Sequence, residues 1–290
     1  MKPAYILFIL SLSLHAIVIT TIPEIRVASD SQEYLALANS LSEEGAYRYN
    51  DYAETFRTPG YPSFLFLVRA CLGEQNNLAV AFLQAVFAGV TAVCIFCLTQ
   101  KLFTNTAAWL AAILYIFNPG AWNSTTSILT ETLFAFLLTL SLTMLLFNDP
   151  VKKGFSSFFL GLSCLARPAG LWLFVPIGFI LGFYQKGKKE RVVFLLVFAA
   201  GIALTQGSWL ARNYGHYGEW YFTEIKSYYL YAYVATQVKA MRSGQDADVL
   251  THNAIKEYAS ARKKYSPPEL NRIYTQKAWE IIDGDGHYLI

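Results

Sequence analysis

Two ionisable residues in one stretch have types and a setting suited to chemistry. Asp30 opens the run Asp30-Ser-Gln-Glu-Tyr-Leu-Ala-Leu-Ala, and Arg57 leads Arg57-Thr-Pro-Gly-Tyr-Pro62. The block begins just after a first apolar run of about membrane length and ends just before another apolar stretch. It therefore holds an acid and a guanidinium at a membrane surface. A carboxylate at the water interface of a membrane cavity can take a proton from an acceptor hydroxyl or hold a divalent cation against a phosphate. The plainer reading of Asp30 is a helix cap. A guanidinium matches phosphate in bidentate geometry, and the two prolines and the glycine after Arg57 fix the backbone that carries it. The plainer reading of Arg57 is a long side chain snorkelling to the interface. Glu33, one turn after Asp30, either shares its site or faces water. A lipid-linked substrate bearing phosphate is the class that such a block suits.

Other candidates lie further along. Glu131 and Arg167 stand at the ends of apolar runs, where ionisable groups are costly and tend to face a cavity or the protein interior. Trp209-Leu-Ala-Arg212-Asn213-Tyr214 closes the last run. Interfacial Trp and Tyr are ordinary there; Arg212-Asn213 is not. His15 and Arg69 fall within apolar segments, His15 as a helix–helix hydrogen bonder more readily than as a ligand. Cys94 and Cys97 form a C-x-x-C inside Val93-Cys-Ile-Phe-Cys-Leu and read as packing cysteines of a lipid-embedded helix rather than a redox pair. Asp246-Ala-Asp248 reads better as a helix start than as a metal-binding pair, and Asp283-Gly-Asp285-Gly lacks the remaining calcium-loop ligands. No P-loop, G-x-S-x-G, H-E-x-x-H or dinucleotide glycine fingerprint is present, which favours a lipid-phosphate-activated substrate over a soluble nucleotide.

The elements that must position these residues follow from composition. Only 15% of the 290 residues are charged and 54% are hydrophobic, against about 25% charged in an average soluble protein. A multi-pass integral membrane protein is indicated, and no basic patch of the nucleic-acid-binding kind is visible. Apolar spans are expected at 4–22, 77–99, 107–122, 127–147, 154–166, 169–184 and 191–210. The first is too long for a signal peptide's core and reads as a retained helix. The run 63–72 is too short to cross and is expected to lie at the surface or half-inserted. With the N-terminus cytoplasmic, Lys101, Lys152, Lys153, Lys186, Lys188, Lys189 and Arg191 fall inside. The 23–62 loop, the Asn123-Ser-Thr-Thr loop, the Arg167 turn and everything after 211 fall outside. Within 23–62, Leu35, Leu37, Ala38 and Leu41 mark a short amphipathic helix. Ser29 or Asp30 is its expected cap, Glu33 completes a capping box, and Gly45 ends it. Beyond 212 the chain is polar and tyrosine-rich, with helices expected over 248–264 and 269–282, split by Pro267-Pro268. Apolar character returns at Tyr288-Leu-Ile290, so the architecture is expected to continue past this chain.

Five stretches now stand in order: Asp30-Ser-x-x-Tyr-x-x-Leu-Ala, Arg57-x-Pro-Gly-Tyr-Pro, Leu129-Thr-Glu131-Thr-Leu-Phe, Ala166-Arg-Pro, and Trp209-x-x-Arg-Asn-Tyr. Together they resemble the GT-C membrane glycosyltransferases, with the family 39-like group, protein O-mannosyltransferases and lipid A aminoarabinose transferases included, as the nearest in pattern. The resemblance covers residues 1 to about 220. It implies an all-α polytopic bundle of about seven transmembrane helices in the cytoplasmic (inner) membrane, with module 1–211, outer-face catalytic loop 23–62 and a helical extramembrane segment 212–290. It implies inverting transfer of a sugar from a polyprenyl-phosphate donor to an acceptor hydroxyl of a lipid, glycan or protein at the outer face. The family's acidic base or metal holder falls on Asp30, and its donor-phosphate contact falls on Arg57. Beside these, Arg167 and Arg212 are the further candidates for donor-phosphate binding, and Glu33 and Glu131 are candidates for a supporting role. Many members carry a second acid after the first; here Ser31 stands there, so a divalent metal would rest on Asp30. Two competing readings are a transporter or flippase of a lipid-linked substrate and a truncated, inactive relative. A transporter should show inverted repeats and midplane charges; no repeat is visible and the charged candidates gather at one face.

Overall fold

The computed structural model describes residues 2–22, 24–49, 52–73, 76–146, 149–173, 176–177 and 187–284. Lys186, most of the expected span 169–184, Asp285 and the terminal 288–290 lie outside the described residues. The chain divides into two compact units. One comprises Met1–Tyr49 with Thr58–Ser208, the other Asn50–Arg57 with Trp209–Ile290.

The first unit contains α1 (Lys2–Thr21), α2 (Ser29–Glu43), a two-residue strand Arg48–Tyr49, α3 (Gly60–Leu72), α4 (Asn77–Leu102), α5 (Asn105–Ile116), α6 (Pro119–Thr125), α7 (Glu131–Met144), α8 (Pro150–Gly154), α9 (Ser156–Ala166), a 3-10 turn (Pro168–Leu173) and α10 (Lys188–Ile202). Polar side chains define several starts. Asn76 accepts from the Ala79 N–H at 2.9 Å and Thr104 from the Ala107 N–H at 3.2 Å, satisfying donors that a helix leaves open. The helix α4 is central and packs against α1, α5 and α7. Its buried face holds Ala81, Ala85, Ala88, Gly89 and Ala92, small residues that let apolar helices approach closely. A Cβ on Gly89 would lie 2.9 Å from the Phe8 ring. The same logic joins α9 to α10, where a Cβ on Gly201 would meet Ser157 Oγ at 2.1 Å.

Three helices among the described residues are long and apolar enough to cross a bilayer: Lys2–Thr21, Asn77–Leu102 and Lys188–Tyr217. The chain is an all-α membrane protein. The third of these runs on from α10 through a π turn at Ala203–Gly207 into α11 (Ser208–Tyr217). Elsewhere the apolar runs are more broken than expected. The run 107–122 is two helices, because Asn118 precedes a proline, which disfavours helical backbone at that position. Asn118 instead caps α6, accepting from the Gly120 N–H at 2.8 Å. Its 13 residues make α3 about 20 Å long at 1.5 Å per residue, less than the hydrocarbon thickness.

Helix α2 forms where expected and ends at Gly45, whose φ of +63° suits glycine. Its start differs. The N-cap is Ala28, not Ser29 or Asp30, and the Ala28 N–H donates to Ser31 Oγ at 2.9 Å. Ser31, not Glu33, reaches back to the free donor, and Asp30 stands inside the first turn. The buried face is Ser31, Tyr34, Leu37 and Ala38, packed on α3.

The second unit contains the strand Tyr52–Ala53, α11 from Trp209, α12 (Ile225–Tyr229), a π turn (Leu230–Ala235), α13 (Thr236–Ser243), α14 (Ala247–Ala261) and α15 (Pro267–Asp283). Pro267 and Pro268 occupy the first turn of α15, where no amide donor is needed, and Ser266 caps it with Glu269. The core is Phe56, Tyr231, Tyr258, Tyr274 and Leu270, interleaved with Ala232, Ala235, Ala254, Ala261 and Ala278. Tyr258 and Tyr231 each lie 4.8 Å from the Tyr274 ring. The hydroxyls of Tyr231 and Tyr274 both reach Glu257, which meets the demand of a buried phenol for a partner.

Candidate active-site residues

In the first unit the motif Thr58-Pro-Gly-Tyr-Pro62 is explained by packing. A Cβ on Gly60 would come 2.4 Å from the backbone nitrogen of Ala166. Only glycine therefore lets the start of α3 meet the end of α9, the turn that carries Arg167. Tyr61 is fully buried and donates to Gln84 Oε1 at 3.0 Å. Gln84 Nε2 donates in turn to the carbonyls of Thr125 and Ser127, both at 3.0 Å. The same loop pairs with the approach to α2: the Arg26 N–H donates to Thr126 O at 2.9 Å, and the Ile128 N–H to Arg26 O at 3.1 Å. One buried glutamine thus ties α3 to the entry to α7, and backbone hydrogen bonds tie that loop to the segment leading to Asp30.

Asp30 is exposed in the first turn of α2, where the helix dipole favours a carboxylate. Glu33 follows at i+3, on the same face of the helix. Glu131, in the first turn of α7, accepts from Arg167 at 2.6 Å, with both side chains nearly half exposed. Arg167 ends α9 in extended backbone. The structure brings this pair together, and a phosphate approaching Arg167 would have to share it with Glu131.

In the second unit, Arg57 ends a segment whose polar backbone and side-chain groups are held residue by residue. Tyr217 donates to Ala53 O at 2.5 Å, Arg212 to Glu54 O at 2.7 Å, and Thr223 to Phe56 O at 2.9 Å. Tyr221 donates to Thr55 Oγ1 at 3.1 Å, and Thr55 donates to Glu224 Oε2 at 2.5 Å. Glu54 folds back on its own turn. Its Oε1 accepts from the Phe56 N–H and, at 3.1 Å, from the Arg57 N–H. Its Oε2 lies 3.0 Å from Arg262 Nη2. The guanidiniums of Arg57 and Arg262 lie 5.0 and 4.6 Å from the Phe56 ring centre, a cation–π arrangement.

The Trp209-x-x-Arg-Asn motif belongs to the same scaffold. Arg212 also donates to Asn213 Oδ1 at 2.9 Å and lies 4.8 Å from the Trp209 ring. Asn213 is fully buried and donates to Tyr221 O at 3.0 Å. Arg212 therefore holds the backbone that carries Arg57, and Asn213 holds Arg212.

Glu224 sits at the centre of this cluster, 1% exposed. Burial first, then the neighbouring Glu54 carboxylate, push its pKa from the ordinary 4.5 up to about 7; the Thr55 hydroxyl and Arg262 pull the other way. Burial likewise raises the Tyr221 and Tyr258 phenols. While it holds its proton, a carboxyl can donate as well as accept.

Glu54, Glu224, Arg262 and Gln84 were not among the sequence candidates. Gln84 carried a signal, a lone amide within an apolar span. Glu54 and Arg262 carried none, because each is one acid or base in a polar stretch. Several weaker candidates resolve as structural. Asp246 caps α14, accepting from Asp248 and Val249 N–H at 2.8 and 3.1 Å. His15 Nδ1 bonds the Ser11 carbonyl of its own helix at 2.8 Å rather than a second helix. Cys94 and Cys97 are unbridged on α4. Among the described residues no three His, Cys, Asp or Glu side chains gather as a metal site. A divalent ion at Asp30 would need substrate phosphate and water as its other ligands, as magnesium commonly has.

A family model described as the Alg9-like mannosyltransferase family matches residues 60–228, more than half of the chain. The match includes Glu131, Arg167, Arg212 and Glu224; Asp30 and Arg57 precede it. It names a GT-C membrane glycosyltransferase family, and the family 39-like subtype is not confirmed by it. No curated protein matches the chain.

Proposed function

The chain belongs to the Alg9-like mannosyltransferase family, and from that premise we propose that this glycosyltransferase moves a mannosyl residue from a polyprenyl-phosphate donor to an acceptor hydroxyl at the outer face of the cytoplasmic membrane, with inversion. Asp30 is the base. Its carboxylate takes the proton of the acceptor hydroxyl as that oxygen attacks the anomeric carbon and the bond to the phosphate oxygen breaks. Arg57 meets the donor phosphate and stabilises the charge that grows on it as it leaves. Arg167 is a second phosphate contact, shared with Glu131, and Glu33 supports Asp30. Arg212 we assign to positioning, since its guanidinium is engaged by Glu54 O and Asn213. A seven-span bundle with 212–290 outside the membrane is the architecture proposed for it.

The observation that supports the donor role most directly is the held segment before Arg57. A phosphate contact must be placed before the donor arrives, and the Arg57 N–H is fixed at 3.1 Å by Glu54. The experiment supplies purified protein with polyprenyl-phosphate mannose or with a nucleotide-activated mannose and follows transfer to a panel of hydroxylated acceptors. Transfer from the lipid donor alone, with the product's anomeric configuration opposite to the donor's by NMR, is expected. Transfer from the nucleotide sugar, or retention, overturns the reading.

A further inference from the structure

Glu54 and Arg262 stand 208 residues apart in sequence and form an ion pair inside the second unit. The Glu54 side chain is 3% exposed and that of Arg262 20%. A buried pair of this kind is a poor source of stability, because both charges lose their hydration. Its geometry has a different consequence. The carboxylate that faces Arg262 is the same group that accepts the Phe56 and Arg57 N–H donors. The guanidinium that faces Glu54 also lies over the Phe56 ring, the ring over which Arg57 lies. Arg262 therefore acts on Arg57 by two routes, one through the Glu54 carboxylate to the backbone and one through Phe56 to the side chain.

We propose that Glu54 and Arg262 are positioning residues for Arg57, so that the residue just beyond the end of α14 sets how the donor phosphate is held. This rests on the reading of Arg57 as the donor-phosphate contact. Remove the charge at 262 and Glu54 is left to seek other donors; the Arg57 turn is then released. Replace Arg262 by Lys and the charge beside Glu54 stays, while the planar contact with Phe56 is lost.

The test uses the full chain in lipid nanodiscs, with polyprenyl-phosphate mannose varied against a fixed acceptor and then the reverse. Arg262→Gln is expected to raise the donor KM about tenfold and to leave the acceptor KM unchanged. Arg262→Lys is expected to recover most of that loss. In an Arg57→Ala background, Arg262→Gln should add less than about a twofold change, because its effect passes through Arg57. Trypsin should cut after Arg57 faster in Arg262→Gln than in the unsubstituted protein. Should Arg262→Gln fail to fold, Glu54→Gln carries the same comparison, since its amide oxygen still accepts one backbone N–H. If Arg57→Ala raises the donor KM but Arg262→Gln does not, or if the two effects multiply, the positioning role is overturned and the donor reading stands. If Arg57→Ala leaves the donor KM unchanged, the donor reading falls and the proposal with it.

Discussion

At Asp30 the capping role has passed to other residues. Ala28 is the N-cap and Ser31 supplies the returning contact, so α2 does not need the Asp30 side chain to begin. Asp30→Asn should therefore cost no more than about 1 kcal/mol of stability, the loss of a charge from the first turn, while transfer falls about 10²- to 10⁴-fold, the range for a lost general base. Near-normal turnover would remove Asp30 from the reaction. Glu224 offers a different test, on stability. Its folded pKa is raised from 4.5 to about 7, so the folded state holds the proton more tightly than the unfolded chain. The stability this contributes is complete below pH 4.5 and is lost as pH rises through about 7. Glu224→Gln, whose amide oxygen still accepts from Thr55, should flatten the melting temperature between about pH 5 and pH 8. An unaltered pH profile would show that another group carries the dependence.

Several helix pairs of the first unit meet at glycines that leave no room for a methyl group. Gly60 is the sharpest case. A methyl there would meet the backbone on both sides of the Leu165–Ala166 peptide, at 2.4 to 2.6 Å, and neither helix can give by rotating a side chain. Gly60→Ala should destabilise the first unit by about 1–3 kcal/mol, the usual cost of overpacking, read as a lowered melting temperature in detergent. A melting temperature equal to that of the unsubstituted protein would show that the α3–α9 contact has room for a methyl group. Much of the element map was legible beforehand because its causes are local: apolar runs for α1, α4 and α10, Gly45 at the end of α2, Asp246 at the start of α14. The break at Asn118-Pro119 was equally local and was passed over because the surrounding residues are apolar. The start of α2 was read one or two residues late, since Asp and Ser are better caps than Ala in general, while here Ser31 reaches back to the Ala28 N–H.

For the whole molecule, the Lys and Arg distribution makes a topological prediction. In a cysteine-free background, a cysteine at Glu43 should be labelled by a membrane-impermeant reagent from outside intact cells, and a cysteine at Lys188 only after permeabilisation. The reverse pattern would place the α2 end on the cytoplasmic side and end the outer-face reading. The amino-acid sequence by itself determined that this is a helical membrane protein with an acid and a constrained arginine beside its first apolar run. That is so because transfer into lipid, helix termination and proline geometry are each set by residues within a turn or two. Only the tertiary structure decided what holds the arginine. Glu54 meets Arg262, and Thr55 meets Glu224, across 208 and 169 residues of chain. Contacts of that span follow from how helices pack, and a lone glutamate in a polar stretch carries no local mark of the partner it will bury against.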